Sequence, residues 1–440
     1  MPLLEEVFGV SSKPVLSYLS RTAVDDRFLE ALKSDKQIVV YGSSKQGKTA
    51  LVSKYVPYDD NVVVRLTPKT DMVDLYGAIL RGFGVRIKKA SAEKSEEGSS
   101  ATLGTKLKAL IPVFSSEVSA SGSQTEKTSE EESYDELPFN LELAQDVSEL
   151  IRKSGCSKTI ILENFHYLDD QRQRQLSFDL RTFQELGIRF IILGVWREKN
   201  RLAQFNGDLV DRITEVPVEP WEIIDFIAVA KIGAQHLNLS FSQQLLQSCC
   251  ESSFSSIGVF QELLKEVCIS ANIRETCKIL QLLQDLGLLS QAKAKKASDY
   301  AARHQRALEA VAAGNVSSSP KQGVLPLFLP YYLVKVILSI GYDGLANGMP
   351  RSVVHERIQA IHHRRDDVRA SDMSNLLHNL AALQSNKNIT PPIIDFDQNS
   401  RLLQVVDSTF YFFLRNADLR TISDEIPNPL DALTNSDSSS

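Results

Sequence analysis

The sequence predicts an α/β protein: a parallel sheet carrying a phosphate-binding loop, followed by a run of helices. Three observations predict it. Residues 37–52, QIVVYGSSKQGKTALV, fit the pattern GxxxxGK[ST] between an apolar β-branched run and a helical one. Four further apolar runs, at 62–66, 159–166, 188–195 and 213–218, alternate with segments of helical spacing, as in a parallel sheet. Beyond residue 220 the periodicity is helical, with one hairpin signal near the C-terminus.

The chemistry of the loop follows from its residue types. Gly42 and Gly47 let the backbone curl so that Ser43, Ser44, Lys45 and Gln46 supply inward N–H groups. Lys48, Thr49 and Ala50 open a helix that adds the positive end of its dipole. Lys48 reaches the β- and γ-phosphates, and the Thr49 hydroxyl ligates Mg²⁺. The expected ligand is ATP with Mg²⁺.

Composition bounds the rest. A length of 440 residues suits two or three domains, and 43% apolar and 24% charged residues are ordinary for a globular protein. A net charge of −6 gives no global argument for nucleic acid or a membrane surface. The five cysteines form no CxxC pair and no ligand set with histidine, which argues against structural zinc and disulfides and for a reducing compartment. MPLLEEVFGV is acidic and too short in apolar residues for a secretion signal, and no apolar run approaches the ~20 residues of a membrane span. The expectation is a cytoplasmic protein.

Along the chain, residues 24–32 read as an amphipathic helix before the first strand, and 72–84 as a helix ending at glycine. Residues 89–136 are rich in Ser, Glu, Gly and Lys, with one apolar island at 103–114. They read as a flexible or hairpin insertion, the sharper alternative being a β-arm or amphipathic element that docks on a partner or membrane surface. Order resumes with a helix at 141–155. Helices at 221–239, 241–252, 258–271 and 274–286 make a helical subdomain, and 293–314 is a basic, alanine-rich segment. A last domain has helices at 331–340, 351–361 and 370–384 and a hairpin at 392–407, the order of a winged helix. The expected boundaries are an α/β core at 1–219, a lid at 220–290, a helical linker at 291–324, a winged-helix-like domain at 325–420 and a disordered tail at 421–440.

Hydrolysis needs a second acidic strand end beside the loop. The run TIILENFH, 159–166, ends in Glu163, which takes the metal-side position usually held by Asp. The next residue, where a catalytic Glu is usual, is Asn164, which orients water but cannot accept its proton. The motif is present but altered.

The order phosphate loop, LENFH strand, IILGVW strand, helical lid and winged helix resembles the AAA+ and STAND group of P-loop ATPases, in its initiator, transposition-regulator and archaeal-type branches. ENFH resembles an altered DEAH strand. Counting strands along the chain, the resemblance implies the sheet order 5-1-4-3-2. It nominates Leu19 and Arg21, in SYLSRTAVDDRF, for closing over adenine. After the fourth strand Trp196 stands where a polar sensor is usual, and Arg197 becomes the γ-phosphate sensor. GDLVDRITEVPVEPW resembles the region that offers an arginine finger to a neighbouring subunit, which nominates Arg212. The lid segment SSIGVFQELLKEV lacks the arginine that many such lids carry after the glycine.

Plainer roles compete. Arg197 and Arg212 also suit surface ion pairs, His166 a satisfied, partly buried histidine, and Trp196 a core aromatic. Asp169 and Asp170 suit a helix N-cap and first-turn charge. From residue 325 onward ten Lys and Arg face thirteen Asp and Glu, and the segment 370–384 has no Lys or Arg. That disfavours nucleic acid as a partner and leaves HHRR at 362–365 and the basic segment 293–306 as local exceptions. The function expected is a slowly hydrolysing, ATP-dependent switch that forms homo-oligomers and engages a protein effector. The resemblance also admits a setting in bacterial defence. The alternatives are a DNA-associated ATPase of initiator or transposition-regulator type and a scaffold that binds ATP without turning it over.

Overall fold

The computed structural model describes residues 1–11, 14–89, 107–112, 134–314 and 325–431. Its central sheet has five parallel strands: β1 (Gln37–Gly42), β2 (Val62–Arg65), β3 (Ile160–Glu163), β4 (Phe190–Val195) and β5 (Ile213–Pro217). They lie in the order β2-β3-β4-β1-β5, which is the expected 5-1-4-3-2 order read from the other edge. Strand β1 is buried along its whole length because both faces of the sheet are covered. Val39 and Tyr41 join a cluster under helices Met72–Gly82, Ala144–Lys153 and Asp170–Glu185. Ile38 and Val40, one residue out of phase, pack under helices Arg27–Lys33 and Lys48–Tyr55.

Parallel strands all point their carboxyl ends one way. The loop after β1, Glu163 at the end of β3 and the segment after β4 therefore converge on one rim of the sheet. Arg212 precedes β5, whose first residue pairs with Gln37 at the start of β1, and so lies at the opposite rim.

Part of the insertion is ordered. Arg86–Lys89, Leu107–Pro112 and Tyr134–Phe139 form a three-stranded antiparallel sheet, so the apolar island supplies its middle strand. Residues 90–106 and 113–133 lie outside the described residues, and with them most of the flexibility expectation.

The lid is helical at Ile223–Leu237, Gln243–Glu251 and Ile257–Ser270. The helix expected at 274–286 is not there. Gln281–Leu283 is instead a short strand parallel to Leu239–Phe241, and Ile279, Leu280 and Leu282 are exposed. Their helical spacing was coincidental: of this apolar run only Leu283 is buried, in the lid cluster. The N-terminal residues Leu4, Val7 and Phe8 pack into the lid cluster and not into the sheet. The segment read as a basic linker is one helix of 27 residues, Leu286–Ala312, that packs on lid helix Ile257–Ser270 and on C-terminal helices Leu329–Leu345 and Ser408–Asn416.

In the C-terminal region Leu329–Leu345 (kinked at Gly341), Arg351–Ile361, Ala370–His378 and Leu380–Asn386 are helices; the expected single helix at 370–384 breaks at Asn379. Met349–Pro350, Leu402–Val405 and Ile394–Asp397 pair as a small antiparallel sheet. Two further helices, Ser408–Asn416 and Leu419–Glu425, extend beyond the hairpin, the second running into the segment expected to be a disordered tail. No described helix is long and apolar enough to cross a membrane.

Candidate nucleotide site

Gly42, Lys45 and Gly47 all have positive φ (153°, 61° and 87°), which turns the chain from β1 into helix Lys48–Tyr55. The first turn of that helix leaves the N–H groups of Lys48, Thr49 and Ala50 without intrahelical acceptors. Lys48 is buried and its ammonium donates to Gly42 O at 2.9 Å and Ser43 O at 2.6 Å. Burial pushes its pKa down to about 8, against the pull of Glu219. A triphosphate would favour the cation further and take over as its partner.

The strand-end carboxylate is where the sequence places it. Glu163 Oε1 accepts from Thr49 Oγ1 at 3.3 Å and from Tyr58 Oη at 2.9 Å, and its Oε2 pairs with Arg65 Nε at 3.1 Å. Hydroxyl and carboxylate oxygens side by side form the hard donor set that Mg²⁺ takes, so Thr49 and Glu163 fit that ion. Asn164 is left-handed (φ 61°, ψ 36°), a conformation Asn tolerates, and turns the chain out of β3 beside the loop.

The remaining loop residues face other parts of the chain. Ser43 N–H donates to Glu219 Oε2 at 2.6 Å. Gln46 Nε2 donates to Glu219 Oε1 at 3.1 Å, and to Ser255 O and Ser408 Oγ at 3.3 Å each. Ser44 N–H donates to Val406 O at 2.9 Å, and Ser408 Oγ donates to Ser44 O at 2.8 Å. Gly258 N–H donates to Lys45 O at 3.0 Å; a Cβ at Gly258 would stand 2.7 Å from that oxygen, so only glycine lets the lid helix come this close. The loop is held by the lid on one side and by the C-terminal region on another.

That C-terminal hold is itself braced. Fully buried Asp407 accepts from Arg303, Thr409 N–H and Thr409 Oγ1, and His304 Nε2 meets Thr409 Oγ1 at 2.9 Å. Desolvation pushes the Asp407 carboxyl up, but the Arg303 cation and these hydrogen bonds outweigh it and hold the group below the usual range. Burial pushes His304 down to about 4. The hairpin also docks on the segment after β4: Arg201 pairs with Asp395 at 3.0 Å and Asn399 Nδ2 donates to Lys199 O at 3.2 Å.

Other expected site residues separate into near and far. Arg197, half exposed, lies 3.9 Å from Glu219 Oε1 and beside the Tyr411 hydroxyl, close to the loop but not on it. Arg21 lies in the cleft next to the loop, yet its guanidinium donates to Val218 O (2.7 Å) and Pro220 O (3.0 Å) and covers Trp221; Leu19 lines the same cleft. Arg212 pairs with Glu185 at 3.2 Å and Gln184 at 3.4 Å, away from its own loop. Trp196 is a fully buried core aromatic stacked on Tyr41. Asp169 caps its helix by accepting from Arg172 N–H. His166 departs from expectation: both its ring nitrogens are buried without a partner among the described residues, and burial with nearby Lys48 pushes it down to about 3. It is a neutral, unsatisfied imidazole rather than a satisfied one.

Sequence reasoning missed Tyr58, Glu219, Trp221 and the Val406–Ser408 contact. Glu219 and Trp221 stand in VEPW just after β5, a position whose signal was spent on Arg212. The Val406 contact joins residues 362 positions apart and has no local signature.

A five-stranded parallel sheet in this order, with the glycine-bounded loop following its central strand β1, decides the fold. The core has the P-loop NTPase fold. The resemblance to the AAA+ and STAND group is thus met in the sheet order and loop. No family model matches the sequence, and a comparison with curated proteins gives no match. Among solved structures the chain is similar to a Walker-type ATPase of Pyrococcus abyssi, at 12% identity over 91% of this chain and 100% of that one, with a TM-score of 0.45. It is also similar to the Orc1 protein of Aeropyrum pernix in complex with DNA, at 13% identity over 91% and 94%, with a TM-score of 0.40. A third is a STAND protein with a tetratricopeptide repeat sensor from Pyrococcus horikoshii, at 12% identity over 96% of this chain and 44% of that one, with a TM-score of 0.35. At these scores the assignment rests on this chain's own sheet order and loop.

Proposed function

We propose that the chain is an ATP-binding, slowly hydrolysing ATPase whose nucleotide state sets the docking of its lid and C-terminal region. The observation that carries this reading is the pair of hydrogen bonds between Ser44 and the Val406–Ser408 segment. They tie the third residue of the phosphate loop to the far end of the chain, so a ligand that reshapes the loop acts directly on that docking. Lys48 and the first-turn N–H groups hold the phosphates, and Thr49 and Glu163 hold Mg²⁺, which would neutralise charge on the transferring phosphoryl group. Asn164 orients water without accepting its proton, which makes turnover slow. Arg197 is the γ-phosphate sensor within the subunit, and Arg212 is offered to a neighbouring copy.

The elements of 325–420 suit a winged helix, preceded by a lid near 220–290 and a helical connector at 291–324. The hairpin docks on the core through Asp395 and Asn399, and the helices at 370–386 carry only uncharged and acidic residues apart from His378. Protein contact therefore suits this region better than DNA. The full chain should change its sedimentation between ATP, ADP and no nucleotide, and residues 406–409 should lose hydrogen-exchange protection in one of the bound states. Identical sedimentation and protection in all three conditions would rule out the switch.

A further inference from the structure

Trp221 is assigned by neither the loop motif nor the strand-end carboxylate, yet it lines the cleft beside Gly47 of the phosphate loop. Beside the loop an apolar cleft is lined by Val15, Leu19, Val24, Leu51, Val229 and Ile257. The polar groups in its wall are already engaged. Asp25 Oδ1 accepts from Tyr18 and Tyr55 at 2.9 Å each, and Asp25 Oδ2 accepts the Arg21 N–H at 2.9 Å. The Arg21 guanidinium is taken up by Val218 O and Pro220 O.

The exception is the Trp221 indole. Arg21 covers one ring face at 3.6 Å and Phe226 packs against the ring at 6.1 Å, so the indole is fixed in place and its Arg21 face is closed to stacking. The ring presents an edge to the loop: Cζ2 lies 3.8 Å from where a Cβ on Gly47 would stand. Cζ2 neighbours the ring carbon that carries Nε1, so the N–H belongs to this edge. That N–H is buried and no described group accepts from it. Indole N–H only donates, and leaving it unpaired in an apolar cleft is unfavourable. Trp196 also has an unpartnered N–H, but it lies within the core, stacked on Tyr41 and packed against Gly194.

We propose that Trp221 is a nucleoside-binding residue, its indole N–H donating to an acceptor on the ribose or purine next to Gly47. Arg21 acts through it, as a positioning residue that fixes the ring. This rests on the nucleotide reading above and adds to it the residue that reads the organic end of the ligand. ATP and inorganic tripolyphosphate separate the two ends, because the second engages only the phosphate loop.

The test measures binding of both ligands to the full chain and to Trp221→Phe, which keeps an aromatic ring but removes the donor. ATP should bind the variant about five- to tenfold more weakly, the loss of one neutral hydrogen bond, while tripolyphosphate binds unchanged. In Trp196→Phe, where Trp221 is the sole indole, emission should shift with ATP and not with tripolyphosphate. Equal ATP affinity in Trp221→Phe, or an equal loss for both ligands, overturns the proposal. If Trp221→Phe does not fold, the emission of Trp196→Phe decides alone, and no ATP-dependent shift overturns it. A wild-type chain that binds neither ligand refutes the nucleotide site itself, whereas one that binds ATP with Trp221→Phe matching it refutes only this assignment.

Discussion

Glu219 accepts the backbone N–H of Ser43 at 2.6 Å, so a carboxylate is seated on the second residue of the phosphate loop. Its other oxygen accepts from Gln46 and lies 3.9 Å from Arg197. A negative charge at this distance opposes a triphosphate, and Arg197 is the cation placed to offset it.

Glu219→Gln keeps an acceptor for Ser43 and removes the charge. ATP affinity should rise by about threefold or more at low salt, and the gain should shrink as salt screens the charge. Titrations at two ionic strengths check this; an unchanged or weaker affinity would show that Glu219 acts through the shape of the loop.

Lys48 gives a stability signature. Its pKa falls from the model-peptide value of 10.5 to about 8 in the folded chain. Between those values the unfolded state binds more protons, so stability of the nucleotide-free chain should rise as pH increases from about 8 to 10.5. Below pH 8 the penalty is complete, at about 3 kcal/mol. Lys48→Met should therefore raise the nucleotide-free Tm at pH 7 while abolishing the Tm increase that ATP gives the wild type. Thermal unfolding at pH 7 and 9.5, with and without ATP, reads both effects. A Met variant that still gains stability from ATP would sink the site.

Asn164 stands where a base is usual. Asn164→Glu should raise phosphate release, at about 1 kcal/mol in stability because Glu tolerates the left-handed backbone less well. A slower variant with an intact fold would mean that Asn164 already positions the attacking water and that the added carboxylate displaces it.

Arg212 is tied to Glu185 and Gln184 at the rim opposite its own loop, so the proposed contribution to turnover would come across a subunit boundary. Arg212→Ala should leave the isolated chain's ATP affinity unchanged and its stability altered by no more than about 1 kcal/mol. Turnover of the assembled protein should fall by about 10³-fold. Mixing Arg212→Ala with Lys48→Ala subunits should restore part of the rate. Normal turnover by Arg212→Ala alone would end the shared-site idea.

The core was legible because its signals are local and repeated. Strand β1, the glycines of the loop and Glu163 at the end of an apolar run each announce themselves within a few residues, and the fold places them where those signals put them. The Arg274–Leu286 stretch misled because a short edge strand with exposed Ile279, Leu280 and Leu282 carries the same apolar density as a helix. The seal over the loop was illegible for a different reason. Val406 offers a backbone carbonyl, an atom that every residue possesses, and only the packed chain shows where it points.

The helix Leu286–Ala312 gives these local contacts reach. Its 27 residues make a rod of about 40 Å, its first part packed in the lid cluster and its last turns in the C-terminal core. A tilt of about 10° at the lid end carries the far end through about 7 Å, more than one helical turn. Near the middle of the helix Lys296 ties it to the lid through Glu262, and about two turns further on Arg303 and His304 tie it to Asp407 and Thr409 of the C-terminal region. A nucleotide that tilted the lid by this much would move the C-terminal helices on the scale at which whole protein surfaces are exposed or concealed.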